Sequence, residues 1–125
     1  MSIPEYRDLI EAVQKAGGPI GIVTKRAGPY ITAPDWVGIT QIIMTALNAI
    51  DQPDVQDRLA GVLKRDILTR GYQIDIGITR SNATTEIWPE DPPLKFVALC
   101  TGATELEALL HAWLDAARHE GWTTA

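Results

Sequence analysis

The second half of the chain constrains the fold most, because its hydrophobic period changes from helical to strand-like and back again. Residues 53–70 follow a helical pattern, and Gly71 is placed to end it. Residues 72–79 then alternate apolar and polar side chains, the period of a strand with one face in solvent. Two shorter strand patterns follow, at residues 84–88 and 94–100.

The last segment predicts an amphipathic helix that closes this half of the chain. It begins at Thr104, with Glu107 in the position that completes a capping box, and it ends at Gly121. Its large apolar side chains share one face, which predicts packing against the sheet: Leu106, Leu109, Leu110, Trp113, Leu114 and Ala117. The order predicted for the second half is therefore α-β-β-β-α.

The first half begins with a second helix signal. Ser2 and Glu5 form a capping-box pair, which predicts a helix over residues 3–16. Branched residues at 20–25 predict a strand, and the Gly- and Pro-containing segment 26–34 predicts a loop.

Residues 36–50 predict a further helix, opened by the Pro34-Asp35 pair. Apolar residues surround most of its circumference, which predicts either a deeply buried position or a subunit interface. The segment is fifteen residues long, shorter than the ~20 apolar residues of a membrane helix. A membrane is therefore not expected among its partners.

The length and composition predict one domain over residues 1–125. With 125 residues and 46% hydrophobic content, the chain is long enough to bury a single core. The predicted class is α+β, with an antiparallel sheet of three or four strands covered by helices. No repeat or linker divides the chain.

The charge and the cysteine content restrict the compartment and the partners. The net charge of −5 opposes sequence-independent binding to polyanions, so nucleic acid is not a favoured partner. The N-terminus lacks the basic start and apolar run of a secretory signal. The single cysteine, Cys100, lies in an apolar run and is interpreted as a buried reduced thiol. These features predict a cytoplasmic protein.

Four polar residues of the last helix are candidate metal ligands. Glu107, His111, Asp115 and His119 recur at the spacing that makes side chains neighbours on a helix. The same spacing places them opposite the leucines, where an amphipathic helix displays solvated polar groups. We favour the solvated interpretation and expect neither a metal nor another cofactor.

A pair of carboxylates gives the alternative of a small enzyme or ligand-binding protein. Asp75 and Glu86 lie on consecutive predicted strands and can face each other across the hairpin as an acid-base pair. With His111 they are the candidate catalytic residues. This hypothesis requires a concave site between the sheet and its helices.

Basic residues in the middle of the chain give a second alternative, nucleic-acid binding. The cations Arg58, Lys64, Arg65 and Arg80 would have to share one face. Aspartates are interleaved with them, and a helix face carrying both signs of charge explains the pattern equally well.

The tryptophans favour a protein-interaction function. The chain has four, against one phenylalanine. Trp36, Trp88 and Trp122 are assigned to an interaction surface, because Trp88 precedes a proline-rich link and Trp122 follows the last helix in a tail. The favoured function is therefore a non-catalytic interaction or assembly module, either a homo-oligomer or the partner of another protein.

Two resemblances concern the C-terminal half. Its element order resembles that of double-stranded RNA-binding domains, but Glu105 and Glu107 stand where that family carries a lysine-rich phosphate clamp, so RNA binding is rejected. The last strand and the helix from Thr104, with Ala108 and Ala112, resemble small phage-encoded proteins of the ABA-sandwich type. This resemblance implies a phage or prophage origin and brings no catalytic residues.

Overall fold

The chain folds into three helices and two antiparallel sheets, as described by a computed structural model for residues 1–35, 40–90 and 97–122. The helices are α1 (Ile3–Lys15), α2 (Pro53–Thr69) and α3 (Glu105–Glu120). The strands are β1 (Gly21–Lys25), β2 (Gly28–Pro34), β3 (Gln41–Ala46), β4 (Tyr72–Ile78), β5 (Ala83–Pro89) and β6 (Ala98–Gly102). The α+β class and the α-β-β-β-α order of the second half are confirmed.

The sheets are two three-stranded sheets, where the sequence predicted one sheet of three or four strands. Sheet A has the order β1-β2-β3, and sheet B has the order β4-β5-β6. The difference arises in the first half of the chain, where the sequence predicts a loop and a helix but the structure has the strands β2 and β3.

The predicted loop at residues 26–34 is wrong, because β2 occupies residues 28–34. Lys25 pairs with Gly28 across a two-residue turn, and Gly28 has a φ of 124°, a conformation that favours glycine. Tyr30, Ile31 and Thr32 have high strand propensity. The two prolines that suggested a loop lie at or near the ends of β2, where a missing N–H costs little pairing.

The predicted helix at residues 36–50 is also wrong over its described part. Residues 41–46 form β3, and a single 3₁₀ turn follows at Leu47–Ala49. Branched residues such as Ile42, Ile43 and Thr45 favour a strand, and a short apolar run has no period that distinguishes the two structures. Residues 41–46 are exposed or half-buried, so the predicted deep burial is wrong for this strand, whereas Leu47 and Ile50 after it are buried.

Helix ends follow the predicted caps closely. The Ser2 hydroxyl accepts a hydrogen bond from the Glu5 N–H, and the Glu5 carboxylate accepts from the Ser2 N–H, which completes the capping box. The hydrogen bond from the Ser2 side chain is the main cause of a lowered Glu5 pKa. In α3, Thr104 accepts from the Glu107 N–H, but the Glu107 carboxylate accepts from Ala103 rather than from the cap residue.

One core joins the helices to both sheets. Helices α2 and α3 pack on each other and on the inner face of sheet B, while α1 packs on β1 and α3. The largest fully buried side chains include Ile10 of α1, Ile31 of β2, Leu63 of α2, Ile87 of β5 and Trp113 of α3. Among the described residues, no helix is long and apolar enough to span a membrane.

Candidate functional site

The predicted carboxylate pair forms, but it lies on an open sheet surface. Asp75 of β4 is directly opposite Glu86 of β5, an arrangement that the sequence allowed without fixing the register. Both side chains are on the outer face of sheet B, because their neighbours Ile74 and Ile87 face the helices. His111 lies on α3, which covers the other face. The pair and the histidine are therefore separated by the sheet and do not form one site.

Three of the four candidate metal ligands of α3 make separate local contacts, and His111 is half-buried on the same helix. Glu107 accepts from the Ala103 N–H, Asp115 accepts from Cys100, and His119 lies 3.1 Å from Glu120. Within the ranges that the structure describes, no group of three or more His, Cys, Asp or Glu side chains could hold a metal ion. Glu107, Asp115 and His119 therefore take part in helix capping and in local hydrogen bonds.

Cys100 has an environment that suppresses thiol reactivity. Its thiol lies on the inner face of β6 and donates a hydrogen bond to the Asp115 carboxylate, with a sulfur-to-oxygen distance of 3.1 Å. Burial, and then the hydrogen bond and charge of Asp115, raise the pKa of the Cys100 thiol to about 12. Cys100 is partly buried rather than fully buried as predicted, so its low expected reactivity rests mainly on the small fraction of thiolate.

We expect Cys100 to react slowly with iodoacetamide. At pH 8 its thiolate fraction is roughly a thousandfold below that of an unperturbed thiol, and the higher nucleophilicity of a high-pKa thiolate offsets part of this loss. Alkylation followed by mass spectrometry should be slowed more than about tenfold relative to a small thiol. Its rate should still rise at pH 10, and Asp115→Asn should accelerate it. A rate that levels off below pH 9 would contradict the raised pKa.

The three tryptophans assigned to an interaction surface have different settings. Trp36 lies outside the described residues. Trp88 is half-buried on β5, opposite Gln73. Trp122 is 7% exposed and packs within its own chain, with ring centroids 4.9 Å from Tyr72 and 5.6 Å from Trp113. It therefore offers little surface to a partner.

The basic residues of the nucleic-acid hypothesis are distributed over several surfaces. Lys64 forms an ion pair with Glu105 at 2.6 Å, and Arg80 lies in the turn between β4 and β5. Only Arg58 and Arg65 share one surface, where they are two turns apart on α2. The face that nucleic-acid binding requires is not assembled by these four residues.

Arg58 and Arg65 line an open cleft of about 610 Å³, which we call the arginine cleft. One wall is α2, and the opposite side comes from the chain after α1, the end of β2 and the start of β3. The lining residues are Gly17, Gly18, Pro19, Pro34, Asp35, Gln41, Arg58, Gly61, Val62, Arg65, Asp66 and Thr69. A smaller cleft of about 190 Å³ shares Arg58 and adjoins β3 at Met44 and Thr45.

Three hydrogen bonds brace the arginine cleft. The Gln41 side chain donates to the Pro19 carbonyl at 3.0 Å, which joins β3 to the segment after α1. Asp66 accepts from both the Arg70 guanidinium and the Trp113 indole, each at 2.8 Å. The cleft is thereby connected to the buried core through a charged side chain.

Strand β3 forms a second candidate surface, at the edge of sheet A. Among the described strands it pairs only with β2, so one of its edges is outermost. It contains no charged residue, proline or glycine, and it exposes Ile42 at 37% and Ile43 at 49%. The opposite edge, β1, is covered, because the Gln14 side chain accepts from the Ile22 N–H at 3.0 Å.

Sequence reasoning named Arg58 and Arg65 and allowed a subunit interface within residues 36–50, but it missed both the cleft and the edge strand. Gly61, between Arg58 and Arg65 in an otherwise regular helical pattern, was the available signal for the cleft, since an interior helix glycine often has a packing or functional reason. The branched pair Ile42-Ile43 was the signal for the strand. The other walls of the cleft come from distant parts of the chain and carry no local signal.

Comparison of the chain with protein-family models, with characterised proteins and with solved structures finds no match in any of the three.

Proposed function

We propose that the protein is a non-catalytic assembly module that associates with a second copy of itself through the outer edge of β3. The observation that carries this proposal is an uncharged apolar strand at a sheet edge. Such an edge presents unpaired N–H and C=O groups and is a template for pairing with another strand. Native proteins usually protect such edges with Lys, Pro or a covering element.

The composition of β3 supports pairing between identical strands. Neighbouring residues of a strand point to opposite faces, so Ile42 and Ile43 place apolar surface on both sides of the edge. In a twofold antiparallel arrangement of two β3 strands, every residue faces an uncharged one. No like-charge repulsion then opposes the association.

A register shift limits which part of β3 pairs regularly. Ile31 is opposite Thr45 and Thr32 is opposite Ile43, so Met44 is an extra residue in the strand. The regular segment is Gln41–Ile43, the same segment that carries the exposed isoleucines. The proposed contact is therefore short, and the assembly is expected to depend on protein concentration.

The phage or prophage origin belongs to the same proposal. Helix α3 begins after Thr104 and carries Ala108 and Ala112 at the spacing on which that resemblance rests. An assembly function is compatible with such an origin and requires no catalytic residue.

The test replaces Ile43 with lysine, a residue that natural edge strands use to prevent pairing. Sedimentation equilibrium over a range of concentrations should show two-chain mass for the original protein. Ile43→Lys should weaken the association by at least about tenfold, because desolvating one charge costs more than 1.4 kcal/mol.

The matched control is Leu68→Lys. Leu68 is 56% exposed on α2, so the substitution adds the same charge at an exposed apolar position away from the edge. It should leave the association constant unchanged. Single-chain mass at every concentration, or equal dissociation by both variants, would contradict the proposal.

A further inference from the structure

The arginine cleft has the features of a ligand site, whether or not the protein self-associates. Arg58 and Arg65 are seven residues apart on α2, so their side chains leave the same face of the helix. Gly61 lies between them, and a methyl group added there would meet no atom within 4 Å. The missing side chain therefore leaves open space on the helix face between the two arginines.

Arg65 is the cation available to a ligand. It is exposed, and no described residue forms an ion pair or hydrogen bond with its side chain. Arg58 has a contact within the chain, so it serves as the second donor rather than the principal one.

The neighbouring carboxylate does not compete for Arg65. Asp66 is already bonded by the Arg70 guanidinium and the Trp113 indole, both at 2.8 Å. The lining of the cleft carries two arginines, Arg58 and Arg65, and two carboxylates, Asp35 and Asp66. Arg70, outside the lining, offsets the charge of Asp66 through its ion pair, which leaves the two lining arginines against the charge of Asp35.

The chemistry and size of the cleft define the ligand class. A guanidinium group pairs with carboxylate or phosphate oxygens through two parallel hydrogen bonds. Thr69, one turn beyond Arg65, adds a hydroxyl donor at the same wall. A volume of about 610 Å³ is in the range of small-molecule sites, while the acidic surface of the protein disfavours a long polyanion.

We infer that the arginine cleft binds a small anionic molecule bearing a phosphate or carboxylate group, with Arg65 as the principal ligand-binding residue and Arg58 as the second. The two anion types share the same recognition by guanidinium, so the experiment includes one probe of each.

The experiment titrates ¹⁵N-labelled protein with pyrophosphate and, separately, with citrate, at an ionic strength held constant with chloride. The indole N–H signal of Trp113 reports on the cleft, because this group is bonded to Asp66. Saturable shifts at Gly61 and at this indole with either probe are expected, and the better probe identifies the anion type.

Two variants should weaken binding by different means. Arg65→Gln removes the principal donor and should reduce affinity at least about tenfold, as expected for loss of a charge-assisted hydrogen bond. Gly61→Leu keeps every charge and fills the open space, and it should also reduce affinity. Arg80→Gln removes the same charge in the β4–β5 turn and should leave binding unchanged.

Three results would overturn the inference. They are shifts that grow linearly without saturation, equal weakening by Arg65→Gln and Arg80→Gln, and tighter binding of a single-stranded oligonucleotide than of either probe. The last would point to nucleic acid as the partner of this surface.

Discussion

Replacing Trp122 with alanine is expected to lower the free energy of unfolding by about 3 kcal/mol and to leave the molecular mass in solution unchanged. The indole is 7% exposed and makes edge-to-face contacts with Tyr72 and Trp113. Removing it leaves a cavity between α3 and β4. The protein then loses the free energy of burying the apolar indole surface and the aromatic contacts.

A charged network depends on the same ring. The Arg70 guanidinium lies 5.0 Å from the Trp122 ring centroid and 5.5 Å from that of Trp113. Arg70 also pairs with Asp66 at 2.8 Å. Because the Trp122 ring lies against the Arg70 guanidinium, its loss removes one cation–π contact and exposes Arg70 to more water, which weakens its pairing with Asp66.

The measurement is urea-induced unfolding followed by circular dichroism, combined with sedimentation of each variant. Trp122→Phe, which retains a ring against Tyr72, should lose less than half as much stability as Trp122→Ala. If the unfolding free energy of Trp122→Ala is within about 0.5 kcal/mol of that of the original protein, the buried position of Trp122 is contradicted, since surface substitutions have effects of that size. A change in mass would instead assign the ring to an interface.

The position of Trp122 shows how far local sequence signals extend. Thr104 and Gly121 correctly marked the ends of α3, because caps act through the adjacent backbone. Beyond Gly121, Trp122 is held by its N–H, which donates to the Ala117 carbonyl at 2.9 Å, and by its ring contact with Tyr72, fifty residues away in the chain. The second contact has no local signature.

The two halves of the chain differ in predictability for a physical reason. Strand β4 has one face in solvent, so exposed Gln73 and Asp75 alternate with partly buried apolar neighbours and reveal the period. Strand β3 has apolar residues at successive positions, so it lacks the alternation that identifies a strand. The same run of apolar residues also fits a buried helix. Tertiary pairing with β2 decides the outcome.

The candidate sites were predicted less well than the fold. Cross-strand pairing of Asp75 with Glu86 follows from the hairpin, because a short turn fixes the register. The arginine cleft requires α2 to lie beside the segment after α1 and the end of β2. Such a juxtaposition depends on the packing of the whole core, and the pattern around Arg58 and Arg65 alone is that of any charged helix face.

Gly18→Ala is expected to destabilise the protein by about 2 kcal/mol, while Gly61→Ala is expected to stabilise it by about 0.5 to 1 kcal/mol. A methyl group at Gly18 would lie 2.8 Å from the Val13 carbonyl oxygen and 3.0 Å from Trp113 Cη2. Neither neighbour moves easily, because that oxygen accepts the Gly18 N–H at 2.8 Å and Trp113 is fully buried.

Gly61 is the control position, because a methyl group added there meets no atom within 4 Å. Alanine there restricts the unfolded chain and favours the helix without a steric cost. Chemical denaturation of both variants measures the two changes under identical conditions. Changes in unfolding free energy of the same sign would contradict the packing at Gly18, because a methyl group is destabilising there only if the surrounding atoms are tightly packed. A stable Gly18→Ala protein would show that α1 and Trp113 can separate, and that this wall of the arginine cleft moves.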